Sequence, residues 1–80
     1  MQPDLQNARF YVGLKQSIDA IKNGEAQKAF VAKDADEHVR LPFVALCEEH
    51  QVPVSYAETK AKLGKDFGIS VGAACAVILK

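Results

Sequence analysis

Leu14, Ile18 and Ile21 recur at intervals of four and three residues within GLKQSIDAIKNG at 13–24, the spacing that lays apolar side chains along one stripe of a helix. Gly24 is placed to end that helix in a left-handed conformation, with Asn23 the weaker alternative. The pattern returns in LPFVALCEEH at 41–50, where Phe43, Leu46, Cys47 and His50 fall on one face and Pro42 sits where a first-turn proline is tolerated. It returns again in KAKLGKDF, where Leu63 and Phe67 are one turn apart, Thr59 is a natural N-cap and Gly68 a natural terminator. Between these helices the periodicity changes. KAFVAK at 28–33 has a continuous apolar centre, which predicts a short strand buried on both faces. FYV at 10–12 and VPVSYA at 52–57 read as two more strands, the second with a proline near its start that suits an outer position. VGAACAVILK at 71–80 is apolar on both alternations. Its alanines favour a helix, but Val77, Ile78, Leu79 and the preceding GISVG favour a central strand, in which Gly72, Ala73, Ala74 and Ala76 let helices approach closely. PDLQNAR at 3–9 predicts a short helix with Pro3 in its first turn, and DADEHVR at 34–40 a polar loop with candidate helix caps at Asp34 and Asp36.

The order α-β-α-β-α-β-α-β predicts an α/β fold: a three-layer α/β/α sandwich around a four-stranded sheet, mixed or mostly parallel. Eighty residues accommodate one domain, here 1–80, and a chain of that length buries about 60–65% of its unfolded surface. The composition is globular, with 49% hydrophobic and 25% charged residues. Two cysteines in apolar surroundings do not make a disulfide scaffold, and reduced thiols in a cytoplasmic protein are the expectation. MQPDLQNARF has neither the basic nor the apolar region of a signal peptide. No apolar run approaches the roughly 20 residues of a membrane helix.

Charge changes the picture more than its zero total suggests. Residues 1–33 carry Arg9, Lys15, Lys22, Lys28 and Lys33 against Asp4, Asp19 and Glu25; residues 59–80 carry Lys60, Lys62, Lys65 and Lys80 against Asp66. The middle, 34–58, sets Arg40 against Asp34, Asp36, Glu37, Glu48, Glu49 and Glu58. A fold that joined the outer thirds would have one basic face and an acidic one elsewhere.

A catalytic constellation is hard to assemble. There is no supported Ser-His-Asp pattern and no glycine-rich phosphate loop, so no enzyme activity and no cofactor are expected. Of His38, Cys47, His50 and Cys75, only Cys47 and His50 share a helical face, and buried thiols with ordinary histidines are a better reading than a zinc site. Glu48 and Glu49 beside Cys47 oppose a reactive thiolate. Asp34, Asp36 and Glu37 lack the spacing of a calcium loop. The helix at 13–24 is the exception. Its first turn holds Lys15 and Gln16, although the N-terminal end of a helix is positive and prefers acids. A Lys15–Asp19 pair would recover part of the penalty. An external phosphate at that end would engage the free N–H groups and Lys15, Gly13 would let a ligand backbone come close, and Gln16 could read base edges. On spacing alone, a surface helix with a suboptimal first turn remains the better reading.

Four separated stretches carry a resemblance. GLKQSIDAIKNG, VAKDAD, LCEEHQVPV and KLGKDFGISVGAACAVI, in that order, resemble the kink-turn-binding ribosomal protein family, the L-seven-Ae family, and within it the small bacterial YbxF-like branch with its Gly-x-Lys-Gln start. The likeness runs from about residue 7 to residue 79. It implies an α/β/α sandwich that is not an enzyme and that binds RNA bent at tandem sheared G·A pairs, ribosomal RNA being one candidate source. By matching position it implies that Gly13, Leu14, Lys15 and Gln16 enter the groove at the G·A pairs with Lys33 nearby. It further implies that Ile69, Ser70 and Val71 pack against flipped-out bulge nucleotides, and that Lys60, Lys62 and Lys65 are candidate phosphate contacts. Two positions depart from the family: Asp19 stands where relatives commonly carry lysine, and Ser70 replaces a frequent glutamate. An RNA-binding module is therefore expected, with a small monomer as the default state. The alternative is a protein-interaction module on the same fold with eroded RNA binding, which the acidic middle and Asp19 favour.

Overall fold

The computed structural model describes residues 9–69 and 71–80; the helix expected at 3–9 lies, but for Arg9, outside them. In chain order the elements are β1 (Phe10–Val12), α1 (Leu14–Lys22), β2 (Ala26–Ala32), α2 (Glu37–Glu49), β3 (Val54–Ala57), α3 (Lys60–Asp66) and β4 (Cys75–Leu79). The strands form one four-stranded sheet in the order β1-β4-β2-β3. Only β2 and β3 run parallel; β4 is antiparallel to both its neighbours, so the sheet is mixed rather than mostly parallel. The reason lies after α3. The chain turns at Gly68 (φ +79°) and doubles back until the Ala73 N–H reaches the Lys60 carbonyl at 3.0 Å. β4 therefore starts at the end of the sheet where β3 stops, and can only run the opposite way.

Alternation along the two central strands splits the core. Ala29 and Val31 of β2 and Cys75 and Val77 of β4 pack under α1 and α2 with Ile21, Phe43 and Cys47. Phe30, Ala32, Ala76 and Ile78 pack on the other face under Leu63 of α3 and Phe67, its C-cap. Strands covered on both faces read as unbroken apolar runs, which is what the sequence shows for β4 and for residues 29–32 of β2. Phe67 meets the rings of Phe10 and Phe30 edge-on, at 4.9 and 5.5 Å between centroids. The architecture is the α/β/α sandwich expected from the alternation of patterns.

Boundaries moved where capping outweighed periodicity. α2 begins at Glu37, not near Leu41, because the Asp36 carboxylate accepts from the His38 N–H at 2.8 Å and starts the helix early. Pro42 is thus inside the helix rather than in its first turn. It faces solvent, where water can serve the carbonyl that its missing N–H leaves free. His50, expected on the buried stripe, is the exposed C-cap, and Gln51 takes the left-handed conformation (φ 60°) that ends the helix. Gly24 does the same after α1, at φ 73°. β3 is confined to 54–57, with the Pro53 carbonyl accepting from the Ala29 N–H at 2.8 Å. β4 is confined to 75–79.

Candidate functional site

Each of β1, β2 and β3 leads into a helix at the same end of the sheet, so the starts of α1, α2 and α3 lie together there. They are finished differently. Asp36 caps α2, with Glu37 in its first turn, and the Thr59 hydroxyl caps α3 by accepting from the Lys62 N–H at 3.0 Å. α1 has no side-chain cap and no acid in its first turn. Its N-cap, Gly13, has φ 112° and ψ 154°, a conformation that side chains with a Cβ rarely adopt. The Gly13 N–H donates to the Cys75 carbonyl at 2.9 Å, which anchors the start of α1 to the start of β4.

The residues after Gly13 divide by depth. Leu14 is half-buried against the α1–α2 core, while Lys15 and Gln16 are exposed. The expected Lys15–Asp19 pair is not formed: among the described residues the ion pair present is Arg40–Glu37, at 3.9 Å. Asp19 instead borders a shallow hollow with Tyr11, Gln16 and Asn23 on the β1 side of the helix. Lys15 is thus an uncompensated cation at the positive end of a helix, a locally unfavourable arrangement of a few tenths of a kcal/mol.

The other expected site residues fall into two groups. Lys33 is exposed just past β2, its N–H bonded to the Ala57 carbonyl at 2.8 Å. The neighbouring Ala32 N–H reaches the Ala74 carbonyl at 2.8 Å. Gly13, Lys33 and the entry to β4 therefore share one end of the sheet. Ile69 is half-buried in the α3 core, its N–H on the Gly64 carbonyl at 3.0 Å, whereas Val71 is 68% exposed. Ser70 lies outside the described residues. Lys60 is at this end too, as the first residue of α3; Lys62 faces the groove between α3 and the β3 edge, with Ser55, Tyr56 and Asp66, and Lys65 is exposed in the last turn of α3.

Three contributors are not apparent from spacing. Gly64 reads as an indifferent residue within a short helix, yet a Cβ there would collide with the Val71 carbonyl and lie 3.2 Å from Ile69 Cγ1. Gly72 allows the close approach expected of it, but to the start of α3: a Cβ would sit 3.2 Å from that of Lys60. Asp34, read as a helix cap alongside Asp36, does cap a helix, but it is α3: its carboxylate accepts from the Lys60 N–H at 2.8 Å. The signal for the first two was the glycines themselves, placed where helix or strand propensity would choose another residue.

Cys47 and Cys75 are buried and free in the same apolar cluster. Burial, then the Glu48 carboxylate, pushes the Cys47 thiol up to about 11; burial, then Cys47, pushes Cys75 up to about 12. Both stay protonated at neutral pH and are poor nucleophiles. Among the described residues no group of three or more His, Cys, Asp or Glu side chains is arranged to hold a metal ion, and no helix is long and apolar enough to cross a membrane.

The chain as a whole is similar to known proteins. The model of the ribosomal protein L7Ae/L30e/S12e/Gadd45 family matches residues 4–80. The RNA-binding protein YbxF of Geobacillus stearothermophilus is 42% identical over 76 residues, covering 95% of this chain and 93% of the relative. An RNA-binding protein of Bacillus pumilus is 37% identical over 68 residues, covering 85% and 83% of the two chains. Among solved structures, the Giardia lamblia 15.5kD RNA binding protein superposes with a TM-score of 0.81 at 28% identity. That match covers 89% of this chain and 60% of the Giardia protein.

Proposed function

Because this chain belongs to the ribosomal protein L7Ae/L30e/S12e/Gadd45 family, we propose that it is an RNA-binding protein that recognises and stabilises kink-turns. The observation that carries this reading is the start of α1: no cap, no acid, and an exposed Lys15 and Gln16 beside a Gly13 tied to the entry of β4. A phosphate there would meet unpartnered N–H groups, the helix dipole and Lys15 at once. The arrangement that is unfavourable in the free protein becomes favourable with a polyanion present. Gln16 supplies paired donor and acceptor groups for base edges in the groove widened at the G·A pairs. Val71, apolar and exposed, supplies a surface on which unstacked bulge bases pack; Ile69 and Ser70, which precede it in the sequence, are the further candidates. Lysines 33, 60, 62 and 65 would contribute backbone attraction. Binding the bent form better than the open one stabilises the kink. In this reading the protein acts as a cytoplasmic monomer on structured RNA, ribosomal RNA being one candidate, by binding rather than catalysis.

Titration against a kink-turn RNA, and against a copy whose G·A pairs are replaced by Watson–Crick pairs, tests the reading. The kink-turn is expected to bind at least about tenfold tighter, the scale of one lost base-edge contact pair. The double variant Lys15→Ala, Gln16→Ala should lose that preference while retaining its fold by circular dichroism. Equal, weak binding of the unaltered protein to both RNAs overturns the proposal.

A further inference from the structure

Asp34 sits two residues before the cap of α2 but serves a different helix. Its carboxylate accepts from the Lys60 N–H at 2.8 Å, across 26 residues of sequence. Lys60 is the first residue of α3, so this N–H is one of those that a helix leaves without an internal partner. The carbonyl of the same residue faces the chain entering β4 and accepts from the Ala73 N–H at 3.0 Å. A Cβ at Gly72 would sit 3.2 Å from that of Lys60, a crowded contact, and the Val71 carbonyl packs over Gly64, where a Cβ would collide with it. Two hydrogen bonds in series therefore join the loop after β2, which carries Lys33, to the segment that carries the exposed Val71.

We propose that Asp34 is a positioning residue for RNA binding, fixing through Lys60 where Val71 is presented relative to Lys33 and Gly13. This rests on the RNA-binding reading above. Asp34 touches no RNA in this scheme. A carboxylate beside Lys33 opposes a polyanion, so its charge and its hydrogen bond act in opposite directions on affinity. Replacement by asparagine retains an acceptor oxygen and removes the charge; replacement by alanine removes both.

The test compares unaltered protein, Asp34→Ala and Asp34→Asn in two measurements: amide hydrogen exchange without RNA, and affinity for a kink-turn RNA and its Watson–Crick copy. Asp34→Ala should speed exchange at Lys60 and Ala73 while leaving Val31 and Val77 protected. It should also weaken kink-turn binding by about tenfold, the scale of losing one hydrogen bond to a charged group. Asp34→Asn should restore protection at Ala73 and bind at least as tightly as the unaltered protein. Unchanged Ala73 exchange in Asp34→Ala, or an asparagine variant as weak as the alanine one, overturns the proposal. Should Asp34→Ala fail to fold, Gly72→Ala decides the matter: it keeps the Asp34 side chain and adds a Cβ 3.2 Å from that of Lys60, crowding the segment against the start of α3. It should weaken kink-turn binding, and binding equal to the unaltered protein would refute the positioning role. If the unaltered protein treats both RNAs alike, the RNA reading fails on its own, and exchange at Ala73 still reports whether Asp34 positions the segment.

Discussion

At Cys47 and Cys75 the interior sets the chemistry. The folded chain keeps both thiols protonated past the ordinary value of 9.0, to about 11 and about 12, whereas the unfolded chain releases those protons earlier. The stability tied to them is therefore complete below pH 9 and is lost as pH rises through the folded values. Denaturant melts at about pH 8 and about pH 10.5 should show stability falling with pH. The double variant Cys47→Ala, Cys75→Ala should start less stable, from lost packing, and fall less steeply; an equal slope would mean that the thiols are not its source. The apolar neighbours of both cysteines were legible in the sequence, and so was their inertness. Their adjacency was not, because one lies on α2 and the other on β4, brought together only when the helix packs on the sheet. Gly64 and Asp34 were less legible still: what each touches is 5 to 26 positions away along the chain, beyond the reach of any local pattern.

At the scale of elements, the sequence pattern located each helix and strand among the described residues, and side-chain caps set the starts of α2 and α3. Thr59 is the clearest instance. Its hydroxyl satisfies the Lys62 N–H of a helix only seven residues long, which lacks the length to stand without tertiary support. Thr59→Ala should lower unfolding free energy by about 1 kcal/mol in chemical denaturation, and Thr59→Ser should restore most of it. An alanine variant as stable as the parent would mean that α3 is held by packing alone. α2 shows why boundaries slip. Its apolar stripe starts at Phe43, and Pro42 before it mimics a helix start, yet the Asp36 cap lies a full turn and more upstream in a segment with no buried apolar residue to mark it as helical. α1 is the converse: its stripe and its terminal glycine were plain, and so was the absence of any N-terminal cap.

At the scale of the whole molecule, each outer third of the chain runs from one end of the sheet to the other, so its charges divide between the two ends. Lys15, Lys33 and Lys60 lie at the end where the helices start; Arg9, Lys22 and Lys80 lie at the opposite end, beside Gly24 and Glu25. The outer thirds thus meet, but only part of their positive charge does. The acidic middle divides as well. Asp34 and Asp36 are at the site end with their carboxylates engaged by backbone N–H groups, while Glu48 and Glu49 sit at the far end of α2, about 18 Å away at helical rise. If this end binds a kink-turn RNA as proposed, its few cations mean that affinity should fall with salt along a shallow slope. Asp19→Lys should tighten binding at low salt and steepen that slope by about 0.9 per added phosphate contact; an unchanged slope would place Asp19 outside the RNA footprint. What the sequence determined alone was local: periodicity, turn glycines, caps, and the uncapped cationic start of α1, each expressed within a turn or two of chain. The direction of β4, the division of charge between two ends, and the hydrogen-bonded link from Asp34 through Lys60 to the segment bearing Val71, at the same end as Gly13 and Lys33, were decided only by tertiary structure. Those depend on which distant segments share a hydrogen bond or a packed face, and such contacts leave no periodic trace in the order of residues.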